Sequence, residues 1–414
     1  MGPRVRLLVL MLLFTCSAVA APPIVIVHQG EFDCRNVSLQ REVLPVSGEW
    51  AFYPNQLLTP NEIASATPGY REVPSWWNAA VMQPPLRVAT YRVTILVSKV
   101  DAASKLVLDM PGVYSAYTLW VNGKLLGKNG IVAATESAFV PQWKPDSYVL
   151  PSGVEKFDVV IQVANFSHHR SGINETVRIG AAEKLLAKKS YTEIMSTILF
   201  FALLLIAIAA LVIYQRSTKT RIALVFFACL CVSWALRSVF SNHYLAVQRF
   251  PDLDWSLCLR IEYITIYLST LFGSLVVGIL FPKDVGRLAR TIYLVICGIF
   301  TLFTLVTDPI LFTRYVQLYL GFSSILLISI LVIVFHAYIE NRQGISLLIV
   351  SLFLAAVLFG YVILSYEGLF ELSPLLFNGG FLVFFVVSGL AVLYRLHKIE
   401  EGKADTPLDR LNFR

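Results

Sequence analysis

Charge is scarce in this 414-residue chain: Asp, Glu, Lys and Arg make up 15% of it, against 56% for the apolar residues. A water-soluble domain is about a quarter charged, so the deficit points to membrane spans. Cysteine is nearly missing from the first half. Cys16 lies in an N-terminal targeting segment, and Cys229, Cys231, Cys258 and Cys297 lie in apolar stretches. Only Cys34 falls between residues 21 and 190, which excludes a disulfide within that part. Cys229 and Cys231 stand too close for a CxxC motif and no histidine pattern joins them. They read as small buried hydrophobes, so no metal and no cofactor is expected. Two carboxylates facing one cleft, the requirement for glycoside hydrolysis, are not spaced out by Glu49, Asp109 and Glu136; the chain is not expected to be an enzyme.

What is there begins with a leader. Arg4 and Arg6 precede an apolar run from Leu7 to Phe14, and Ala18-Val19-Ala20 supplies small residues for cleavage after Ala20. Residues 1–20 read as a signal peptide, and the run is too short to span a bilayer. A lipoprotein leader is disfavoured by bulky Phe14 ahead of Cys16.

Beyond Lys189 apolar segments come in series, at about 191–214, 222–244, 256–281, 289–307, 314–336, 344–366 and 375–396. Each reaches the roughly 20 residues that cross a hydrocarbon core of about 30 Å. With residue 190 outside, the inner loops hold Arg216, Lys219, Arg221, Lys283, Arg287, Arg290 and Arg342, and the outer loops hold Arg249 and Arg314. This bias fits the positive-inside rule and agrees with the leader. The net charge of +7 is therefore largely a topology signal, and nucleic acid is not an expected partner.

The spans exclude several functions. The last one, "LLFNGGFLVFFVVSGLAVLYRL", has no lysine for a retinal Schiff base. Gly321-Phe322-Ser323-Ser324 lacks the second glycine of an intramembrane serine protease. Paired Gly/Pro-broken spans of the transporter kind are missing. Ionisable residues inside spans are costly unless paired or hydrated. Arg237 stands about 22 Å from the inner end of the second span at 1.5 Å per residue, and Glu262 at similar depth in the third. A cross-span pair is expected; snorkelling of each side chain to the interface is the alternative.

Residues 21–190 have another texture. Short alternating runs such as "TYRVTILV" (90–97), "KLVLDM" (105–110), "YTLWVNG" (117–123), "FDVVIQVA" (157–164) and "TVRIG" (176–180) are separated by turn residues. This is the pattern of an all-β sandwich. Asn122-Gly123 is a strong hairpin signal, and Trp120 on the strand before it is read as core.

The order "GEWAFYPNQLLTP" (48–60), "VPSWWN" (73–78), "ATYRVTILV" (89–97), "LVLDMPGVYSAYTLWVNGKLLGKNG" (106–130) and "VVIQVANFSHHRSGI" (159–173) resembles the sugar-binding jelly roll of family-two glycoside hydrolases. That jelly roll joined to seven spans resembles, along nearly the whole chain after the leader, the bacterial seven-transmembrane receptors with diverse intracellular signalling modules. The resemblance implies an extracytoplasmic galactose-binding-like jelly roll over 21–185 and an all-α seven-helix transmembrane bundle over 191–396. It implies a location in the bacterial cytoplasmic membrane, with the β domain periplasmic and the C-terminus cytoplasmic. The ligand implied is carbohydrate-like or another small molecule, and no catalysis carries over, because the jelly roll is an accessory domain in the hydrolases. Where the family has cytoplasmic modules, this chain has the short tail 397–414, too short for a catalytic domain. A signal would then pass to a separate cytoplasmic protein, unless the protein has another role or the chain is truncated. An envelope scaffold binding glycan or protein is the second reading, and a transporter the third. Membrane lipid, and a second copy of the chain as an open alternative, complete the expected partners.

Sugars offer C–H faces to aromatic rings and hydroxyls to planar polar groups. The candidate ligand residues are Trp76, Trp77, Tyr114, Asn165, His168, His169 and Arg170. The loop Asn165–Arg170 is the strongest of them, and its alternative role is to pack on the mouth of the bundle and transmit motion. His168 and His169 are adjacent, which argues against a shared metal.

Overall fold

The computed structural model of the chain describes residues 25–77, 86–215, 222–241, 244–366, 369 and 373–402. The leader, the basic loop carrying Arg216, Lys219 and Arg221, and most of the tail lie outside the described residues.

The N-terminal half is two stacked sheets. The strands are β1 (Glu31–Asp33), β2 (Leu44–Pro45), β3 (Gly48–Pro54), β4 (Gly69–Val73), β5 (Val88–Leu96), β6 (Leu106–Met110), β7 (Ala116–Val121), β8 (Lys124–Asn129), β9 (Asp146–Val149), β10 (Lys156–Ala164) and β11 (Arg178–Ala181). A seven-stranded sheet runs β4-β3-β5-β10-β7-β8, with β1 beside β5, and a four-stranded sheet runs β2-β11-β6-β9. Pairing is antiparallel except for β1, which runs parallel to β5 with Glu31 opposite Thr94. Alternation dictates the core. Tyr91, Val93 and Ile95 of β5, Val159 and Ile161 of β10, and Leu119 and Val121 of β7 face Leu106, Leu108 and Ile179 of the smaller sheet. The hairpin turn sits where the sequence places it, with Asn122 (φ 50°) and Gly123 (φ 78°) both left-handed. The Asn122 side chain also ties the turn to β10: its amide donates to the Lys156 carbonyl at 3.2 Å and its oxygen accepts from the Asp158 N–H at 2.7 Å.

Trp120 departs from the expectation. Its neighbours Leu119 and Val121 take the inward positions, so Trp120 points to the opposite face and lies half-buried against Ala51, Tyr53, Ile63 and Val160. The two halves are joined without a loop. β11 runs straight into α1 (Ala182–Gln215). The Ala182 N–H donates to the Lys105 carbonyl at 2.9 Å, and Ala182 and Leu185 pack on Val107. The stretch is rich in Leu, Ala, Lys and Glu, all strong helix formers, so the helix begins ahead of the apolar segment.

The remaining long helices are α2 (Ile222–Phe240), α3 (Trp255–Leu280), α4 (Arg287–Val306), α5 (Pro309–Ile339), α6 (Ser346–Tyr366) and α7 (Leu375–Glu400). With α1 they make, among the described residues, seven helices long and apolar enough to cross a membrane, with mean hydropathies of 1.9 to 2.9 over their most apolar windows. The chain is a multi-pass membrane protein. Helices suit that solvent because they satisfy their own backbone groups. Their neighbours form a ring, α1-α2-α3-α5-α6-α7 and back to α1, with α4 packed outside on α3 and α5. At the end away from the β domain the ring is filled by Phe227, Phe281, Val334, Phe385 and Ala391. There Arg342 forks onto Asp284 at 2.7 and 3.0 Å and onto Glu340 at 2.7 Å. Arg395 of α7, 1% exposed, donates to the Gln343 carbonyl at 2.6 Å.

Candidate functional site

The two halves meet through aromatic rings. Tyr114, on the loop before β7, lies 4.2 Å from Trp143 and stacks on His168 at 4.4 Å between centroids. Trp143 in turn lies 4.6 Å from Tyr244, in the segment joining α2 to α3. These rings continue into Trp255, Tyr263 and Phe312 of the bundle. Gly112 makes the close approach of Trp143 feasible: a Cβ there would collide with the indole nitrogen.

The loop from Asn165 to Arg170 is held from within. The Asn165 oxygen accepts from Ser115 Oγ at 3.0 Å and from the His168 N–H at 2.9 Å, and its amide donates to the carbonyls of His168 and Arg170, both at 2.8 Å. A short amide side chain that bonds the backbone just ahead of it is a natural loop organiser. Asn165 and His168 are buried, at 1% and 2% exposure. Burial pushes the His168 imidazole down to about 3, so the ring is neutral, and its Nδ1 accepts from the Arg170 N–H at 3.0 Å. The His169 N–H donates to Thr313 Oγ1 of α5 at 3.1 Å. The loop thus packs on the bundle. Trp77 is also inward: its indole donates to Tyr91 Oη at 2.6 Å within the sandwich core.

Trp76 and Arg170 take the other direction. The Arg170 guanidinium carbon lies 3.4 Å from the Trp76 ring centroid, a cation–π geometry. Arg71 fixes the same turn by donating to the Trp76 carbonyl at 2.6 Å. Both Trp76 and Arg170 line a cavity of about 610 Å³. Its wall comes from both halves: Tyr114, Trp143 and Asn174 on the β side, Lys188 and Thr192 on α1, Trp234 and Arg237 on α2, and Tyr244 and Glu262 beside them. It continues down the axis of the helical ring past Gly273, Val277, Ile330 and Leu352.

Arg237 and Glu262 are brought together at the mouth of the ring. Arg237 donates to the Glu262 backbone carbonyl at 3.1 Å, and the Glu262 carboxylate accepts from Tyr244 Oη at 3.2 Å. Of the seven ligand candidates, Trp76, Tyr114 and Arg170 reach the cavity; Trp77, Asn165, His168 and His169 are not on its wall. The sequence reading missed Trp143 and Tyr244. Trp143 stands between Pro141 and Pro145 in a loop, a rigid setting for an exposed-looking indole, which is the one local signal it gives. Tyr244 gives none. Among the described residues no three His, Cys, Asp or Glu side chains gather as a metal set.

No family model matches the chain, and no curated protein matches it. Solved structures similar to a third of it include three enzymes. One is a beta-glucuronidase of an uncultured Clostridium species, at 16% identity and TM-score 0.26, covering 33% of this chain and 28% of that one. The second is a Bacteroides uniformis beta-glucuronidase, at 14% identity and TM-score 0.27, covering 33% and 17%. The third is a beta-galacturonidase of Eisenbergiella tayi bound to galacturonate, at 15% identity and TM-score 0.25, covering 33% and 24%. This chain spans less than a third of the length of each of these enzymes.

Proposed function

We propose that this protein is a membrane sensory receptor, whose β domain lies outside the cytoplasmic membrane and whose occupancy is read by a separate cytoplasmic protein. The observation that carries the reading is the shared cavity: one occupant touches the β domain through Trp76, Arg170 and Trp143 and the bundle through Lys188, Arg237 and Tyr244. Occupancy therefore changes the free energy of the domain–bundle contact itself, which is what a ligand needs to shift a conformational equilibrium. Aromatic rings on the cavity wall, among them Trp76 and Tyr114, beside planar polar groups such as Arg170 and Asn174 favour a hydroxylated, carbohydrate-like ligand.

Two further observations support this class of function. The Lys and Arg bias of the sequence favours a cytoplasmic place for the end bearing Asp284 and Arg342, where a partner would dock. The packed phenylalanines at that end close the axis of the ring, which favours a receptor over a solute path. The test is proximity labelling in cells, from a biotin ligase fused to the C-terminus of the full chain. A kinase or cyclase whose labelling changes in Trp76→Ala and Arg170→Ala supports the receptor. Labelling of no such enzyme, or labelling indifferent to both substitutions, overturns it.

A further inference from the structure

The cavity changes character along its length. At the β-domain end its wall mixes signs, with Arg170, Lys188 and Arg237 among Glu175, Glu193 and Glu262. Asn174 on the same wall holds a buried amide oxygen with no hydrogen-bond partner. Inside the ring the wall turns apolar, with Leu230, Val277, Leu326, Ile330, Leu352 and Phe381. Three of the hydroxyls that occur there are spent on their own helix: Ser269 donates to the Thr265 carbonyl at 2.6 Å, Thr270 to Ile266 at 3.0 Å and Ser274 to Leu271 at 2.7 Å; Ser323 and Ser365 also line the wall, with buried hydroxyls that have no hydrogen-bond partner. Gly273 leaves open space, since a Cβ added there would meet nothing within 4 Å. Val277 lies about 22 Å below Glu262 along α3, at 1.5 Å per residue.

We propose that the ligand is an amphiphile with a neutral, hydroxylated head and a single long alkyl chain. The inference rests on the receptor reading above and specifies its ligand. The head lies among Trp76, Arg170, Asn174 and Tyr244, and the chain runs down the ring past Gly273. Two arguments select this chemistry. A mostly apolar void of this kind binds apolar matter in preference to water, because the scattered hydroxyls of Ser323 and Ser365 offer a water fewer than the two to four polar partners it needs along most of the wall. Walls of mixed sign favour a neutral head with many hydroxyls over a phosphate, which calls for clustered cations. A hydroxyl also supplies the missing donor for Asn174.

The experiment uses the full chain in phosphatidylcholine nanodiscs, with dodecyl maltoside carrying a diazirine at its chain end. Cross-links are expected on the segments around Gly273 and Ile330, and unlabelled dodecyl maltoside should compete better than octyl maltoside. Gly273→Leu fills the chain space and should cut the cross-linking roughly ten-fold, the equivalent of about 1.4 kcal/mol. Ile330→Trp is a second blocker with the same expected loss, and thermal melting confirms that each variant is folded. Labelling that persists in both blocked variants, or spreads evenly over membrane-facing Leu302 and Phe353, overturns the proposal. Equal labelling by a diazirine-tailed dodecyl phosphocholine overturns its neutral, hydroxylated head. If free maltose binds saturably, depends on Trp76 and ignores Gly273→Leu, the amphiphile is wrong and the receptor reading stands.

Discussion

The Arg170 guanidinium carbon sits over Trp76, 3.4 Å from the ring centroid, and Arg170 is 5% exposed. The pair clamps the loop after β10 to the turn after β4. A lysine keeps the charge but loses the planar stack. Arg170→Lys should therefore cost about 1 kcal/mol in a thermal or denaturant melt of the full chain, within the range of desolvated cation–π contacts. A melt that matches the parent protein removes the clamp.

Gly112 meets Trp143 so closely that any side chain there displaces the indole. Gly112→Ala should cost roughly 1–3 kcal/mol, as overpacking does, and should also loosen the contact of Trp143 with Tyr244. The second effect separates it from a local defect. Faster hydrogen exchange in the segment around Tyr244 is the expected sign, and unchanged exchange there refutes the coupling.

His168 makes the β domain acid-sensitive. Its ordinary value is 6.5 and its folded value about 3, with burial the largest cause. The unfolded chain thus binds the proton more readily, so stability rises with pH across that window and is complete above 6.5. Between pH 7 and pH 5 the loss should be about 2 kcal/mol. His168→Phe should flatten this part of the stability profile whatever its own stability at pH 7. A variant with the parent's slope would assign the titration elsewhere.

Arg342 forks onto Asp284 with both partners mostly buried, at 14% and 18% side-chain exposure. Asp284→Asn keeps the shape and removes the charge. It should cost about 1–3 kcal/mol, the scale for hydrogen bonds to charged groups. The loop from 340 to 345 should then exchange faster with solvent, together with the α7 turn carrying Arg395. Stability and exchange equal to the parent's would show that this fork holds nothing.

The spans were legible because bilayer thickness fixes their length and hydrocarbon fixes their composition; α2 to α7 fall within a few residues of the expected positions. The central strands were legible through alternation, and Asn122-Gly123 through backbone sterics. Trp120 was misread because β10 and β7 are covered on both faces, so neither face of the strand is polar enough to disclose which is the main core. The start of α1 was hidden by Lys184, Lys188 and Lys189, which read as a solvated connection until docking on Val107 is seen. The cavity depends on Tyr114, Trp143 and Tyr244 converging from distant parts of the chain, and no local pattern encodes that meeting. For the same reason, the Asn165–Arg170 loop was recognised but its division of labour was not. Arg170 faces the cavity, while Asn165, His168 and His169 hold the loop and seat it on α5.

The direct passage from β11 into α1 has a mechanical consequence. At 1.5 Å per residue, the 34 residues of α1 form a stiff lever about 50 Å long, with its short end fused to a strand of the smaller sheet. A tilt of about 5° at Ala182 would carry the far end of the helix through about 4 Å by that geometry. A displacement too small to disturb the sandwich would thus arrive on the other side of the membrane as a shift about as large as the gap between two packed atoms.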